Sequence, residues 1–474
     1  MKKLDKERLF EVTGFKFILN NLELKTGFGR KKLQTLSLIK KSNSIARELE
    51  ELTKFIEHFN AGNNLEQLRK GLSSVRDISG TIARVRRGEL LDDIDLFELK
   101  NFLLTYEEIR KSVFFPEFLF IPSAEELITL LDPEGLRLKN FHIYSAYSKE
   151  LAAVRQEKRE LVSVPETHRS DRLLEELKKL KLRERELEGR IRKELSRKLH
   201  KNAQKIVEIA ELIAKVDFLQ AKVELVQRFE LTRPTLSREA ISFQGLFNPE
   251  VREILRSSGR EFQPVDLKLE KGICIITGAN MCGKTVLLRT IALAQLMFQH
   301  GFYIPARKAE LVPFDGIFFF SGDYQSYKKG LSSFAAEVLE IKKATGHMDE
   351  QWLILFDELA RNTNPDEGKA LVIAIAEAFA KSDCYTVVTT HYDGVVRSGM
   401  RHYRIKGLKE KLPETIETPM ALVDHVDYSL VELNERHERV PHEALKIAKM
   451  FGLDEKIIER AEWILSKEED NSEK

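Results

Sequence analysis

Residues 272–285 carry the most informative pattern in the sequence. Gly272-Ile273-Cys274-Ile275-Ile276-Thr277 is an apolar run, and Gly278-Ala279-Asn280-Met281-Cys282-Gly283-Lys284-Thr285 follows it directly. The second stretch matches the phosphate-binding loop pattern G-x-x-x-x-G-K-[ST] at every fixed position. The apolar run predicts a buried strand, and Val286-Leu287-Leu288-Arg289-Thr290-Ile291 predicts the start of a helix. In this order, backbone N–H groups and a helix N-terminus can bind phosphate oxygens.

The loop therefore predicts a site for ATP and Mg²⁺. We expect Lys284 to contact the β- and γ-phosphates and to act in catalysis, and Thr285 to bind the metal ion. The residues expected around the nucleotide are Gly278, Ala279, Asn280, Met281, Cys282, Gly283, Lys284, Thr285 and Val286.

Two carboxylates are predicted to complete the site. Trp352-Leu353-Ile354-Leu355-Phe356 predicts another buried strand, and Asp357 and Glu358 follow at its carboxyl end. Asp357 is expected to hold Mg²⁺ through water. Glu358 is expected to orient or deprotonate the attacking water as a general base.

A histidine follows the next predicted strand. Tyr385-Thr386-Val387-Val388-Thr389 is β-branched and apolar, and Thr390 and His391 come after it. We expect His391 to contact the γ-phosphate and to couple its loss to movement.

The composition excludes several classes of protein. A length of 474 residues predicts about three domains. The 77 Lys and Arg against 75 Asp and Glu leave a net charge of +2, which argues against a strongly basic tail. No apolar run approaches the roughly 20 residues of a membrane-spanning helix. Three cysteines without paired spacing are typical of a reducing cytoplasm, so we expect a soluble cytoplasmic protein.

The pattern of apolar and charged residues changes near residue 240. Before it, leucine and isoleucine recur at helical spacing, as in Leu33-Leu36-Leu38-Ile39, which predicts helices. Residues 173–199 alternate Glu with Lys or Arg, which predicts a long solvated helix or a helical hairpin with Pro165 at its tip. After it, apolar runs alternate with helical segments, which predicts a mostly parallel sheet covered by helices. A helical pair with a turn at Gly452, and then an acidic tail at residues 468–470, are expected to end the chain.

These motifs together resemble the MutS family of ABC-type ATPases. Thr277–Thr285 is similar to the family's TGPNMGGKS loop, and departs from it at Ala279 and Cys282. The further stretches that resemble family motifs are Gly301-Phe302-Tyr303-Ile304-Pro305-Ala306, Gly330-Leu331-Ser332-Ser333-Phe334-Ala335-Ala336-Glu337, Asp357-Glu358-Leu359-Ala360-Arg361-Asn362-Thr363 and His391-Tyr392. Looser likenesses to the family's helical core lie at residues 25–33, 68–78 and 212–219, and to its carboxyl-terminal dimerisation helices at residues 444–461.

The resemblance implies a dimeric ATPase. Ser332 would reach the nucleotide of the opposite subunit, and Phe262 would lie against adenine. The implied architecture is an α-helical core and lever domain, an α/β P-loop NTPase domain of ABC type, and carboxyl-terminal dimerisation helices. Its expected bounds are helical core at 1–145, lever or clamp helices at 146–205, core return at 206–240, ATPase domain at 241–425, and a helical dimerisation segment with an acidic tail at 426–474. By the same likeness, there is no room before Lys25 for mismatch-reading and connector domains.

Two functions remain open from the sequence. One is a dimeric ATPase that opens and closes a helical clamp on DNA by shape, in repair or recombination. The other is an ATP-dependent remodeller or reactivating partner of a protein client, for example a cobalamin-dependent aminomutase. Residues 151–200 carry 15 Lys and Arg against 10 Asp and Glu, an excess of +5 that fits phosphate contacts and also fits an ordinary solvated hairpin. A homodimer and a heterodimer with a similar chain are both compatible with the sequence.

Cys282 adds a separate hypothesis. A thiol close to Lys284 at a helix start could have a lowered pKa and be oxidisable. The alternative is that it is a small side chain tolerated where the backbone does not need glycine.

Overall fold

The chain forms two compact units in a computed structural model. The described residues are 3–163, 165, 170–279, 282–321, 333–361, 363–413, 415–416, 418–433 and 443–472. One unit, here the helical unit, comprises Glu23–Leu36 and Glu51–Glu224. The other, the sheet unit, comprises Met1–Leu22, Ser37–Glu50 and Leu225–Lys474. The domain bounds expected from the sequence remain predictions.

Helices make up most of the first 229 residues, as predicted. They are α1 (Lys3–Val12), α2 (Phe15–Asn20), α3 (Gly27–Gln34), α4 (Ser42–Asn60), α5 (Leu65–Ser73), α6 (Ser79–Arg87), α7 (Asp93–Ser112), α8 (Glu125–Leu131), α9 (Lys149–Val162), α10 (Asp171–Lys201) and α11 (Ala203–Phe229). The later helices are α12 (Pro249–Ser257), α13 (Lys284–Gln299), α14 (Ser333–Thr345), α15 (Pro365–Phe379), α16 (Pro419–Leu422), α17 (Ala444–Met450) and α18 (Glu455–Ser472). None of the helices in the described ranges has a stretch apolar and long enough to span a membrane.

The sheet unit contains two sheets. Their strands are β1 (Thr235–Leu236), β2 (Ala240–Leu246), β3 (Val265–Glu270), β4 (Gly272–Thr277), β5 (Lys308–Leu311), β6 (Gly316–Ser321), β7 (Trp352–Asp357), β8 (Tyr385–Thr390), β9 (Arg401–Leu408) and β10 (Val426–Glu432). The larger sheet has the order β10-β9-β4-β8-β7-β6, and the smaller has the order β1-β5-β2-β3.

The larger sheet confirms the predicted parallel arrangement. Its neighbours from β9 to β6 all pair in parallel, and every residue of β4 and β8 is buried. Strands buried on both faces need continuous apolar or β-branched runs, which is the pattern these segments carry. Because parallel strands end at the same edge, the residues that follow β4, β7 and β8 meet there.

The structure also corrects two expectations. The sequence predicts that residues 426–432 belong to a helical segment, but they form β10, which pairs antiparallel with β9. The reason is that Val426, Tyr428 and Leu430 alternate with polar residues, which suits an edge strand. The leucine spacing predicts a helix through residues 36–39, but α3 ends at Gln34 and the Ile39 N–H donates to the Gln299 carbonyl at 2.8 Å.

The predicted hairpin is present in the helical unit. α9 and α10 pack against each other on either side of Pro165. The Arg155 guanidinium lies between them and donates to Glu184 and Glu188, each at 2.8 Å. Charged residues of the hairpin therefore pair with one another where the two helices meet.

A buried ion pair within the helical unit gives a stability prediction. Lys100 Nζ lies 3.2 Å from Asp132 Oδ1, and the two side chains are 1% and 0% exposed. Burial alone would raise the pKa of Asp132, but hydrogen bonds from the Arg137 backbone and from Lys100 lower it. We expect Asp132→Asn to lower the free energy of unfolding by about 3–5 kcal/mol, because it leaves a buried cation without a counter-charge.

Urea unfolding followed by circular dichroism measures this change. Since the pKa of Asp132 is lowered in the folded state, its stabilising effect is present above the ordinary carboxyl pKa and is lost as the pH falls through the lowered value. Glu108→Gln is the matched control, because its pair with Lys139 is exposed and is worth about 1 kcal/mol or less. Equal losses in the two variants would contradict the prediction.

Candidate functional site

The phosphate-binding loop joins β4 to α13 as predicted. Gly283 lies at the helix N-terminus with φ 87°, a left-handed conformation that favours glycine. A Cβ there would also lie 3.0 Å from the Tyr428 ring. Lys284 is 4% exposed, and its Nζ donates to the carbonyls of Gly278 at 2.7 Å and Ala279 at 3.0 Å. Asn280 and Met281 lie outside the described residues.

Asp357 ends β7 in a buried cluster of hydroxyl groups. Thr389 Oγ1 donates to Asp357 Oδ1 at 3.0 Å, and Ser321 Oγ lies 3.4 Å from Oδ2. Burial raises the pKa of Asp357, and the nearby hydroxyls of Thr285 and Thr389 oppose that rise. The loop hydroxyl therefore lies near the strand carboxylate.

Glu358 begins the turn after β7. Its φ is 53°, and its backbone N–H donates to Thr389 Oγ1 at 3.0 Å. Its carboxylate accepts from Arg361 Nη1 at 3.0 Å and lies 3.8 Å from Lys284 Nζ. Two cations therefore face this carboxylate.

His391 follows β8 at the same edge of the sheet, where its side chain is exposed. Partial loss of solvent around the ring lowers the pKa of His391, the charge of Glu358 opposes this, and Lys284 and Arg361 add to it. The lowered pKa favours the neutral imidazole at pH 7. His391 therefore lies close enough to Lys284 and Glu358 for their charges to act on its ring.

A cavity of about 530 Å³ opens beside the loop. Phe262, expected against adenine, lines it together with Cys282, Gly283, Val286 and Tyr428. Apolar side chains of α12 and β10 and a few polar groups complete the wall. The volume and the mixed lining suit a small organic ligand.

Residues 274–469 match the family model for MutS domain V. The chain is related to the MutS proteins. An "Endonuclease MutS2" from Ligilactobacillus salivarius (strain UCC118) is 31% identical over 300 residues, which are 62% of this chain and 36% of that protein. A "DNA mismatch repair protein MutS" from Staphylococcus haemolyticus (strain JCSC1435) is 32% identical over 262 residues, which are 54% of this chain and 28% of that protein. The chain thus spans about a third of the length of these relatives.

Ser332 belongs to residues 330–337, the stretch that resembles the MutS signature loop, and is expected to reach the nucleotide of the opposite subunit. Ser332 lies outside the described residues. Glu337, at the other end of the same motif, lies on α14 and is 2% exposed.

Cys282 differs from the glycine of the MutS loop, and its environment argues against an oxidisable thiol. The side chain is 2% exposed. Burial raises the pKa of Cys282 to about 11, against the opposing charge of Lys284. A thiol that stays protonated at pH 7 is a poor nucleophile.

The donor set in this MutS-related site suits Mg²⁺ shared with a nucleotide. The described residues contain no cluster of three or more His, Cys, Asp and Glu side chains that could hold a metal ion alone. Thr285 and Asp357 offer hard oxygen ligands near each other. Mg²⁺ commonly takes one or two protein oxygens and fills its octahedron with water and phosphate oxygens.

Sequence reasoning missed three residues of the site. Thr389 bridges Asp357 and the Glu358 backbone, Arg361 contacts the Glu358 carboxylate, and Tyr428 lines the cavity. Thr389 could have been found from strand register, since Phe356 pairs with Val388 and the next residues are neighbours. Tyr428 is about 145 residues from the loop, and only the pairing of β10 with β9 brings it there.

Proposed function

We propose that the chain binds ATP with Mg²⁺ and hydrolyses it. The observation that carries this proposal is the cluster of Lys284, Thr285, Asp357 and Glu358 at one sheet edge. Each supplies a group that phosphate-anhydride hydrolysis requires: a cation, metal-binding oxygens and a carboxylate that can accept a proton.

Each residue has a role in the proposed reaction. Lys284 turns from the Gly278 and Ala279 carbonyls to the phosphate oxygens, where its charge is stabilised better. Thr285 and Asp357 would hold Mg²⁺, which would neutralise the charge that develops on the phosphate oxygens. Glu358 orients the attacking water and accepts its proton. His391, neutral at pH 7, can donate a hydrogen bond to the terminal phosphate.

The adenosine part is proposed to occupy the cavity beside the loop. Phe262 and Tyr428 supply aromatic surfaces there, and base–aromatic stacking is worth about 1–3 kcal/mol. The cavity adjoins Gly283, so a nucleoside in it would direct its phosphates toward the helix N-terminus.

The hydrolysis is proposed to drive a MutS-like clamp on DNA. In α10 a buried stripe consists of Leu177, Leu187, Ile191, Leu195 and Leu199. Arg190, Lys193 and Arg197 are exposed, and at about 100° per residue they lie on the opposite face. Exposed cations at this spacing are suited to phosphate contacts without sequence specificity.

The active form is proposed to be a dimer that uses the last helices. α18 carries large apolar side chains that are exposed, among them Ile457 at 55% and Trp463 at 45%. Burying such side chains against a second chain would remove apolar area from water. The pairing of two sites in MutS-type ATPases supports the same arrangement.

The DNA proposal predicts a specific salt response. We expect the full chain to bind duplex, forked or junction DNA, with affinity that falls as salt rises. A triple variant with Arg190, Lys193 and Arg197 changed to alanine should reduce the slope of log affinity against log salt by about 2–3, because each lost phosphate contact removes roughly 0.9. Fluorescence anisotropy with labelled DNA measures this slope.

The control is an equal charge change elsewhere in the helical unit. Lys70, Lys111 and Lys139 are exposed and paired with carboxylates, so their triple alanine variant should keep the wild-type slope. Failure of the wild-type chain to bind any of the three DNA forms at moderate salt would contradict the DNA proposal. It would leave the remodelling of a protein client as the function to test.

A further inference from the structure

The turn that carries Glu358 is held by side chains of two other elements. The Ala360 N–H donates to Glu337 Oε1 of α14 at 2.5 Å. The Ala360 carbonyl accepts from the Tyr392 hydroxyl at 3.0 Å. Both polar groups of one backbone residue are thus bound by side chains distant in sequence.

This residue occupies a backbone conformation that needs support. Ala360 has φ 59°, and Glu358, two residues earlier, has φ 53°. Residues other than glycine rarely adopt these angles, and they persist where the surroundings fix them. Ala360 is fully buried, so its N–H and carbonyl need protein partners.

Close packing against α15 also restricts the backbone of Ala360. Gly368 lies on α15, and a Cβ there would come within 2.9 Å of the Ala360 carbonyl oxygen and 2.5 Å of the Tyr392 hydroxyl. A glycine within a helix is unfavourable unless space requires it. Here the space is taken by the bond between Tyr392 and Ala360.

We propose that Glu337 and Tyr392 are positioning residues that set the orientation of Glu358 through the backbone of Ala360. The inference rests on the proposed ATP hydrolysis. Tyr392 directly follows His391, so the same contact connects the residue expected at the γ-phosphate to the turn of the general base. Neither Glu337 nor Tyr392 needs to touch the nucleotide.

The test separates positioning from binding. We expect Glu337→Ala and Tyr392→Phe each to lower kcat by about 10- to 100-fold, the effect of a small displacement of a reacting group, with the Kd for ATP unchanged. Glu337→Gln should restore most of the rate, because its amide oxygen can accept the same bond from Ala360. The kcat of the double variant should fall by less than the product of the two single fold-losses. It should lie close to the kcat of the slower single variant, because both side chains act on one residue.

Matched controls use residues of the same type on, or directly next to, the same elements. Glu340 lies one turn after Glu337 on α14 and pairs with Lys343. The Tyr385 hydroxyl donates to the Glu239 carbonyl at the other end of β8. Glu340→Ala and Tyr385→Phe should keep the wild-type kcat.

Wild-type turnover distinguishes the two ways of failing. If the wild-type chain hydrolyses ATP and both Glu337→Ala and Tyr392→Phe keep its kcat, the positioning role is overturned while the proposed function stands. Loss of rate in Glu337→Gln equal to that in Glu337→Ala would also overturn it. If the wild-type chain hydrolyses no ATP, both proposals fall. If Glu337→Ala does not fold, Tyr392→Phe and Gly368→Ala test the positioning role instead. Each is expected to reduce kcat, and a wild-type kcat in both would contradict the role.

Discussion

Glu358→Gln is expected to lower ATP hydrolysis by about 10²- to 10⁴-fold, the usual contribution of a general base. The substitution keeps the size and planarity of the side chain and removes its ability to accept a proton. The backbone bond from Glu358 to Thr389 is independent of the side chain, so the turn should retain its conformation. ATP should therefore still bind, and the variant should accumulate as the ATP-bound form.

Rapid-quench measurement of phosphate release and a separate titration of ATP binding check both parts. Glu377→Gln is the control, because Glu377 lies on α15 and pairs with Arg397 at the surface. Turnover by Glu358→Gln at the wild-type rate would contradict the general-base assignment. Loss of ATP binding would show that the carboxylate is needed to hold the site together.

Lys284→Ala is expected to weaken ATP binding by about 100-fold, roughly 3 kcal/mol, since it removes a buried cation from a charge-assisted contact. Lys284 is 4% exposed and has Gly278, Ala279 and Glu358 as neighbours. Its removal leaves the Glu358 carboxylate with Arg361 as its cationic contact. We therefore expect hydrolysis to fall together with affinity.

Lys271→Ala is the matched control for this variant. Lys271 lies at the opposite end of β4, where it is exposed and pairs with Asp383. Isothermal titration with ATP and Mg²⁺ should give the wild-type Kd for Lys271→Ala and the weakened Kd for Lys284→Ala. Equal affinities in the two variants would contradict the placement of phosphates at the loop.

The sequence was most informative where local chemistry and local structure coincide. The phosphate-loop pattern, the apolar runs before it and before Asp357, and the β-branched run before His391 predicted three strands of one parallel sheet. Because parallel strands end at one edge, the meeting of Thr285, Asp357 and Glu358 followed from topology. The roles given to these residues remain predictions.

Other features depended on contacts that periodicity does not encode. Leu36, Leu38 and Ile39 have helical spacing, but the bond from Ile39 to Gln299 holds that segment outside a helix. β10 is an edge strand whose pairing places Tyr428 in the cavity. The bonds of Ala360 to Glu337 and Tyr392 join residues 23 and 32 positions away in the chain. Tertiary structure decides each of these cases.

The chain is proposed to bind and hydrolyse ATP at the loop and the two carboxylates. The most direct measurement is phosphate release over a single turnover by the purified wild-type chain with Mg²⁺, beside Lys284→Ala and Glu358→Gln. We predict release by the wild type, ATP binding without release by Glu358→Gln, and weakened binding by Lys284→Ala. Absence of ATP binding to the wild type, or equal release by all three proteins, would contradict the claim.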